Sequence, residues 1–506
     1  MRIDFAGAHT HSNPNGNSGT RMSAIEIERH VAELRAVLGD NGVLTGTDMV
    51  PYEAGARFDQ GKSAFVMRPA TTQQAAAAIS YCVQERVHIV PQAGNTGVVA
   101  ASTPDASGRQ AVLSIDRMNR KFELDLDNRS VRADAGMRLS ELNARLEPHG
   151  LFFPIDLGAD PGLGGMLATN TGGARFLRFG DVRKNTLGIT VVLADEHGTV
   201  LDLNSDLRKN NTGVDWKHLF IGTSGAFGLI TECVLNLERL PRQTAAALLV
   251  PRNPAKVMPL LNAMEARLGA YLTAFEGMSG NAIAATLAHI PSLRNPFQGG
   301  LIPNHVILAE ITRSWEPRQG EQPLPEALEN VLAEIWESED GLLEDAIFGP
   351  PHEIWSLRHA LSEGVKHLGK LVAFDLSFRR GQLMAFCERM AIEIPQKFPD
   401  VSIYDFGHIG DGGVHFNLVA SKDGTSAADS TFERRVRDWV VDIVVNDFGG
   451  SFSAEHAIGR KNQAYYDAYT PQKLKDLASA LKAVTSPGGI GVARYQGAQP
   501  ASEVTS

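Results

Sequence analysis

Two imidazoles and an amide stand in Gly407-His408-Ile409-Gly410-Asp411-Gly412-Gly413-Val414-His415-Phe416-Asn417, a stretch too rich in glycine for a stable helix. The pattern predicts strand, tight loop, strand. His415 and Asn417 are two apart on the outgoing strand and so share a face, and the Gly-Asp-Gly-Gly turn brings His408 back to the same space. Residues 453–459, Ser-Ala-Glu-His-Ala-Ile-Gly, add the carboxylate of Glu455 and a third imidazole, His456. Two neutral imidazoles and one carboxylate make a three-ligand set for a divalent metal with a position open to substrate. The plain alternative is a glycine turn flanked by surface histidines, because His-x6-His is not a specific pattern.

Elements that could position these groups run the length of the chain. Ser23 and Glu26 form a capping box, with Ile27, Val31, Leu34 and Leu38 marking one helical stripe behind it. An apolar strand at 64–67, a helix capped by Thr71 or Thr72 and a strand at 88–90 make a βαβ unit. Directly off its last strand comes Pro91-Gln92-Ala93-Gly94-Asn95-Thr96-Gly97. Such a loop offers backbone N–H groups unobstructed by side chains, which suits a pyrophosphate, although an ordinary turn would read the same way. It is neither a P-loop nor a Rossmann Gly-x-Gly-x-x-Gly. Short strands follow to about 135, then an amphipathic helix over 138–149. Two glycine clusters, 156–165 and 168–173, imply backbone packed against something flat. A proline-rich stretch at 239–254 reads as a boundary. Beyond it, helices at 254–268, 325–337, 351–366 and 381–394 alternate with strands at 306–311, 371–378 and 403–406, the pattern of an α+β domain with an antiparallel sheet. Two helices, 431–448 and 471–484, close the chain.

At 506 residues, two to four domains are expected, and the 43% hydrophobic and 21% charged content is that of a globular protein. A net charge of −10 with no basic run argues against a nucleic-acid partner. Cys82, Cys233 and Cys387 are odd in number and widely spaced, so no disulfide framework is expected and a reducing cytoplasm fits. No stretch is long enough to span a membrane, so membrane contact would be peripheral. The first 22 residues read as a disordered polar tail rather than a signal peptide.

Five motifs in order, PQAGNTG, DLGADPGLGGMLATNTGGARFLRFGDVRKNTLG, FIGTSGAFGLITE, FGHIGDGGVHFN and SAEHAIGRKN, resemble the vanillyl-alcohol-oxidase-type FAD enzymes. Within them the chain is similar to the branch that oxidises D-2-hydroxyacids, D-lactate and D-2-hydroxyglutarate among them. The resemblance covers roughly residues 43–489. It implies an α+β fold, with a two-part FAD-binding domain of the VAO/PCMH type at 23–242 and an antiparallel cap domain at 243–425. A C-terminal helical segment at 426–506 would pack back on the FAD domain. It implies non-covalent FAD, with the pyrophosphate on Gln92, Ala93, Gly94, Asn95, Thr96 and Gly97. Pro161, Gly164, Gly165, Thr169, Asn170 and Gly173 would line the flavin, and Ile230 the adenine end.

By the same resemblance His408, His415 and Glu455 match ligands of a divalent metal, zinc by donor type. His456 is the implied general base, and Arg358, Ser362 and Asn417 the substrate contacts. Arg358 and Ser362, i and i+4 on one helix, share a face. The partners implied are a small 2-hydroxyacid and an electron acceptor that no motif identifies: a quinone, a cytochrome or an electron-transferring flavoprotein. Departures from the family pattern are Ala373 in place of a lysine, Ala457 in place of a glycine, Ser224 in place of a glutamate, and Gly491-Val492-Ala493-Arg494 near the C-terminus. They imply a changed substrate or acceptor. Two other readings compete: a flavin-free metallohydrolase on the His/His/Glu set, and a flavoprotein that has lost its chemistry.

Overall fold

The computed structural model describes residues 21–56, 59–338 and 341–497; the expected tail at 1–22 therefore lies almost wholly outside the described residues. Helix Ala24–Leu38 opens them with the expected capping box, Ser23 and Glu26 satisfying each other's backbone N–H. Two sheets follow. One has four strands in the order Val43–Leu44, Ser63–Met67, Gln110–Ser114, Ile89–Gln92, the last three mutually parallel and linked through helix Thr72–Gln84. The other has five antiparallel strands in the order Phe122–Asp125, Ser130–Asp134, Leu229–Asn236, Thr186–Val192, Val200–Leu203. A single core joins them, with Phe65, Ile79, Leu113, Ile189 and Cys233 among its buried members.

From Gln243 onward the chain builds one antiparallel sheet of eight strands. Their order is Leu343–Gly349, Gln243–Pro251, His305–Arg313, Leu272–Ser279, Phe406–Gly407, Gly413–Ser421, Gly369–Ser377, with Val401–Ile403 paired on Gly413–Ser421. Strand alternation decides what each face carries. Val414, Phe416 and Leu418, with Val372, Phe374 and Leu376 beside them, enter one core. Their odd-numbered neighbours His415, Asn417, Ala373 and Asp375 consequently face the other way. On that face Ala274, Met278, Val306 and Leu308 pack under helix Pro351–Lys366 through Trp355, Leu357 and Leu361.

The two halves are tied by a buried ion pair. Arg175, from the glycine-rich stretch of the first half, donates Nε to Glu310 of the sheet at 2.9 Å and meets Asp156 at 2.8 Å. Trp355 Nε1 donates to the second oxygen of Glu310 at 2.7 Å, and Thr273 Oγ1 to the first. An acid in an apolar strand is tolerable only when so fully satisfied.

We propose the boundary near 242/243 from the separation of these cores. The C-terminal segment expected to return as a unit to the first half divides instead. Helix Phe432–Asp442 and the π-turn Ile443–Asp447 bury Phe432, Val436, Val440 and Val444 in the second core, because their apolar stripe matches the sheet's underside. The chain after the π-turn returns: Ser224 Oγ donates to Ile458 O, Lys461 N–H to Val99 O and Ala194 N–H to Thr485 O, and Ile490 lies in the first core, bridged to Ile89. Sequence periodicity missed strands Leu272–Ser279 and Leu343–Gly349 and the short helix Leu163–Thr169, whose Gly-Gly argued against helix.

Replacing Arg175 by Met strands the Glu310 carboxylate and should cost about 3 kcal/mol or more. Chemical denaturation measures this, and the double variant with Glu310→Gln should lose less than the sum of the single losses.

Candidate functional site

A cavity of about 840 Å³ lies between the two halves. One end is walled by the first glycine loop. Asn95, at φ 53°, is pinned from behind by Nδ2 donating to Ala54 O at 2.6 Å and by accepting from Ser102 at 3.0 Å. Among the described residues no partner takes up the backbone N–H groups from Gly94 to Val99. A Cβ on Gly97 would stand in open space, with nothing within 4 Å. A row of unsatisfied donors around an opening that only glycine leaves clear is what a pyrophosphate requires.

Of the residues expected on a flavin cofactor, Gln92, Ala93, Gly94, Asn95, Thr96, Gly97, Pro161, Gly164, Gly165, Thr169 and Ile230 line this cavity. Asn170 and Gly173 do not. Asn170 is the left-handed cap of helix Leu163–Thr169; its amide donates to Asp181 at 2.8 Å and accepts from Arg183 N–H at 2.9 Å. Its place in the motif is explained by turn geometry. Gly173 gives its N–H to Glu455 Oε2 at 3.3 Å, and a Cβ there would lie 2.5 Å from Asp156 O.

The other end of the cavity carries the imidazoles. The turn after Gly407 reverses through Gly412, at φ 95°, where a Cβ would collide with Phe378 O. This returns His408 to His415 with ring centres 5.3 Å apart. His408 Nε2 and His415 Nε2 lie 3.8 and 3.6 Å from Glu455 Oε1. Ligands sharing one tetrahedral zinc at about 2.0–2.2 Å stand about 3.4 Å apart; the two separations to Glu455 are within a few tenths of an ångström of that, and all three atoms lie within 4.8 Å of one another. Burial pushes the His415 imidazole down to about 4, which leaves it a neutral donor at pH 7. Burial opposes ionisation of Glu455, but the neighbouring imidazoles outweigh it and hold the carboxyl well below its ordinary range.

The residue that organises this end is one that sequence reasoning missed. Glu276, on strand Leu272–Ser279, accepts from His408 Nδ1 at 2.9 Å through Oε1 and from Arg358 through Oε2, at 2.9 Å from Nε and 2.7 Å from Nη2. Burial alone would raise its pKa; His408 and Arg358 reverse this and hold it at about 2. A carboxylate on Nδ1 directs Nε2 of the same ring at a prospective ligand site. The only sequence signal was a lone acid inside the apolar run Leu-Thr-Ala-Phe-Glu-Gly-Met.

Arg358 is placed differently from the expectation that it meets substrate. It is buried, held on Glu276 and stacked 5.1 Å from the Phe406 ring, and it does not line the cavity. Helical spacing gave its face correctly but could not show a competing acid on the strand below. Ser362, one turn on, does line the cavity, as do Asn417, His415, Glu455 and His456. His456 is oriented by Asp375: Oδ2 of that residue takes the backbone N–H of Glu455 at 2.9 Å, that of His456 at 3.0 Å, and His456 Nδ1 at 3.1 Å. With Nδ1–H donated there, Nε2 keeps the lone pair. Lys366 lines the cavity, whereas Lys370 turns away to the carbonyls of Ala427 and Asp429. His88 Nε2 donates to Gly491 O at 2.9 Å, off the cavity wall.

Comparison with known proteins agrees with this architecture. The family described as FAD binding domain matches residues 63–204, and that described as FAD linked oxidases, C-terminal domain, matches 240–490. The probable mitochondrial D-2-hydroxyglutarate dehydrogenase of Oryza sativa subsp. japonica is 31% identical over 497 residues, covering 96% of this chain and 83% of that protein. The mitochondrial D-2-hydroxyglutarate dehydrogenase of Bos taurus is 33% identical over 440 residues, 86% of this chain and 77% of that one. The D-2-hydroxyglutarate dehydrogenase of Stutzerimonas stutzeri (strain A1501) is 31% identical over 469 residues, 91% and 97% of the two chains. Among solved structures, p-cresol methylhydroxylase with substrate bound superposes with a TM-score of 0.69 at 14% identity, over 92% of this chain and 96% of its own. The 4-ethylphenol oxidase of Gulosibacter chungangensis gives 0.69 at 16%, over 96% and 99%. The flavin-free metallohydrolase reading is thereby overturned. No helix among the described residues is long and apolar enough to cross a membrane.

Because a side chain at 97 would meet only open space in the empty loop, Gly97→Val should leave the unliganded fold intact and lower FAD retention at least tenfold. The ratio of flavin to protein absorbance, beside the melting temperature of the FAD-free protein, checks this.

Proposed function

The chain belongs to the FAD-linked oxidoreductases built from an FAD binding domain and an FAD-linked oxidase C-terminal domain, and we propose that it oxidises a D-2-hydroxyacid of the D-lactate or D-2-hydroxyglutarate class to the 2-oxoacid. The observation that carries this reading is one cavity with unclaimed backbone donors at one end and His415, Glu455 and His456 at the other. The loop at 92–97 with Gly164, Gly165 and Thr169 would hold FAD without a covalent bond, and FAD so bound would supply the acceptor for the Cα hydride. A divalent ion on His408, His415 and Glu455, zinc by ligand type, would lower the pKa of the substrate hydroxyl.

The chain's own residues do the rest. His456 Nε2 takes the hydroxyl proton, and Asp375 stabilises the imidazolium so formed through Nδ1. The order is that of a general base and its orienting acid. Asn417 is fixed by donating Nδ2 to Tyr404 O at 3.1 Å and to His415 O at 3.2 Å, which leaves only its acceptor Oδ1 uncommitted; the donor for a substrate carboxylate oxygen is the Ser362 hydroxyl on helix Pro351–Lys366. Arg358 acts one step back: it neutralises Glu276, and Glu276 aims His408. Fixing the carboxylate and hydroxyl together holds Cα in one orientation toward the flavin end, where small misplacements cost large factors in rate. A separate acceptor, a quinone, a cytochrome or an electron-transferring flavoprotein, then re-oxidises the protein.

Anaerobic addition of D-2-hydroxyacids should bleach the flavin absorbance; a panel in which none does so defeats the reading. His456→Ala should remain yellow while losing about 10²–10⁴-fold in the rate of that bleaching, and Asp375→Asn should fall between the two. Chelator-free protein should contain one divalent metal per chain by elemental analysis, and His415→Ala should contain none.

A further inference from the structure

Arg437 is the one cavity-lining cation not already explained by the loop end or by the cavity's outer rim. Lys461, also on the wall, pairs with Asp59 at 2.9 Å beside the glycine loop. Lys366 meets Glu363 at 3.5 Å with half its side chain exposed. Arg437 comes from helix Phe432–Asp442, whose residues Glu433, Arg437 and Val441, spaced by four, form a stripe along the cavity wall. It is largely buried, at 23% side-chain exposure. Nε meets Glu433 Oε1 at 3.0 Å, Nη1 donates to Ala373 O at 2.9 Å, and the guanidinium lies 5.2 Å from the Phe374 ring centre. Among the described residues Nη2 has no partner.

The register of the sheet shows where this cation stands relative to the reacting end. Asp375 pairs with His415, and the next cavity-facing rung pairs Ala373 with Asn417. Successive same-face rungs are about 6.8 Å apart. At Ala373 the wall carries only a methyl group, and Arg437, hydrogen-bonded to the carbonyl of that residue at the edge of the sheet, lines the same cavity. In an extended five-carbon diacid the terminal carbons are about 5 Å apart, four C–C bonds of about 1.5 Å. A hydroxyacid whose Cα lies by His456 can therefore run along the Ala373–Asn417 rung and end at Arg437. A planar guanidinium with an uncommitted nitrogen is well matched to that carboxylate, and the Phe374 ring adds a cation–π contact to the guanidinium.

We propose that Arg437 receives a second carboxylate of the substrate and sets a preference for four- and five-carbon 2-hydroxy diacids over monocarboxylates. This rests on the hydroxyacid reading above and adds the residue that chooses among hydroxyacids. The purely structural alternative is that Arg437 only ties its helix to the strand through Ala373 O.

The test compares D-2-hydroxyglutarate with D-2-hydroxyvalerate, the same carbon chain without the second carboxylate, on the FAD-loaded protein. Wild type should favour the diacid. Arg437→Met should lose about 10- to 100-fold of that preference through KM, with kcat and the monoacid changed less than about threefold. Calorimetric binding of glutarate against pentanoate, which needs no turnover, should lose its preference by the same factor. Should Arg437→Met fail to fold, Arg437→Lys carries the same comparison, keeping the charge without the fork and losing part of the preference. Equal losses for both acids, or a wild type indifferent to the second carboxylate, overturn the proposal. If no hydroxyacid reduces the flavin, the functional reading fails by itself. The glutarate arm then decides Arg437: a preference that Arg437→Met removes sustains the diacid site, and its absence overturns it.

Discussion

The carboxylate of Glu276 is the constraint on which the reacting end depends. It sits in the middle of an apolar sheet with 1% of its side chain exposed, a position that an unpaired charge could not occupy. Arg358 neutralises it from the helix above and His408 from the turn beside it. Helix, strand and turn, which no local preference would bring together, are thereby held in one relation. Removing Arg358 or Glu276 would leave the other's charge unpaired in a dry interior, which is dearer than never having placed one there. The same sheet face repeats the device two strand positions along the neighbouring strand, where Glu310 binds Arg175 and Trp355. One helix, Pro351–Lys366, thus satisfies two buried acids: the first aims an imidazole, the second fastens the flavin-binding half to the cap.

Between those fastenings the cavity has two chemically distinct ends. Around the glycine loop the polar groups belong to the backbone and await an anionic ligand. At the sheet the polar groups are side chains, and each is already fixed by a neighbour: His456 by Asp375, Asn417 by Tyr404 O, His408 by Glu276. Such prior fixing is what electrostatic catalysis requires, since nothing then has to reorganise during reaction.

The fold was legible where pattern and period coincide. The capping box at Ser23, the βαβ unit and the helix at 351–366 are local features and occur as read. His415 and Asn417 could be set on one face because strand geometry alone demands it. What escaped was decided by contacts distant in sequence. Glu276 went unread because its partners lie 82 and 132 residues away. Arg358 was assigned to substrate by family resemblance, and spacing, which reveals a face and never a partner, could not show that Glu276 holds it. Asn170 was read as a flavin contact although its left-handed backbone already explains an asparagine there. The helix at Leu163–Thr169 forms against its own propensity because Leu163, Met166 and Leu167 are buried in the first core.

The hydrogen bond from Gly173 to Glu455 joins groups 282 residues apart in the chain. Contacts of that separation form late, after loop closure has been offset by packing on both sides. A nascent chain will therefore have completed its glycine loops well before Glu455 has been synthesised. The contact between Gly173 and Glu455 can therefore form only after both halves of the chain have been made.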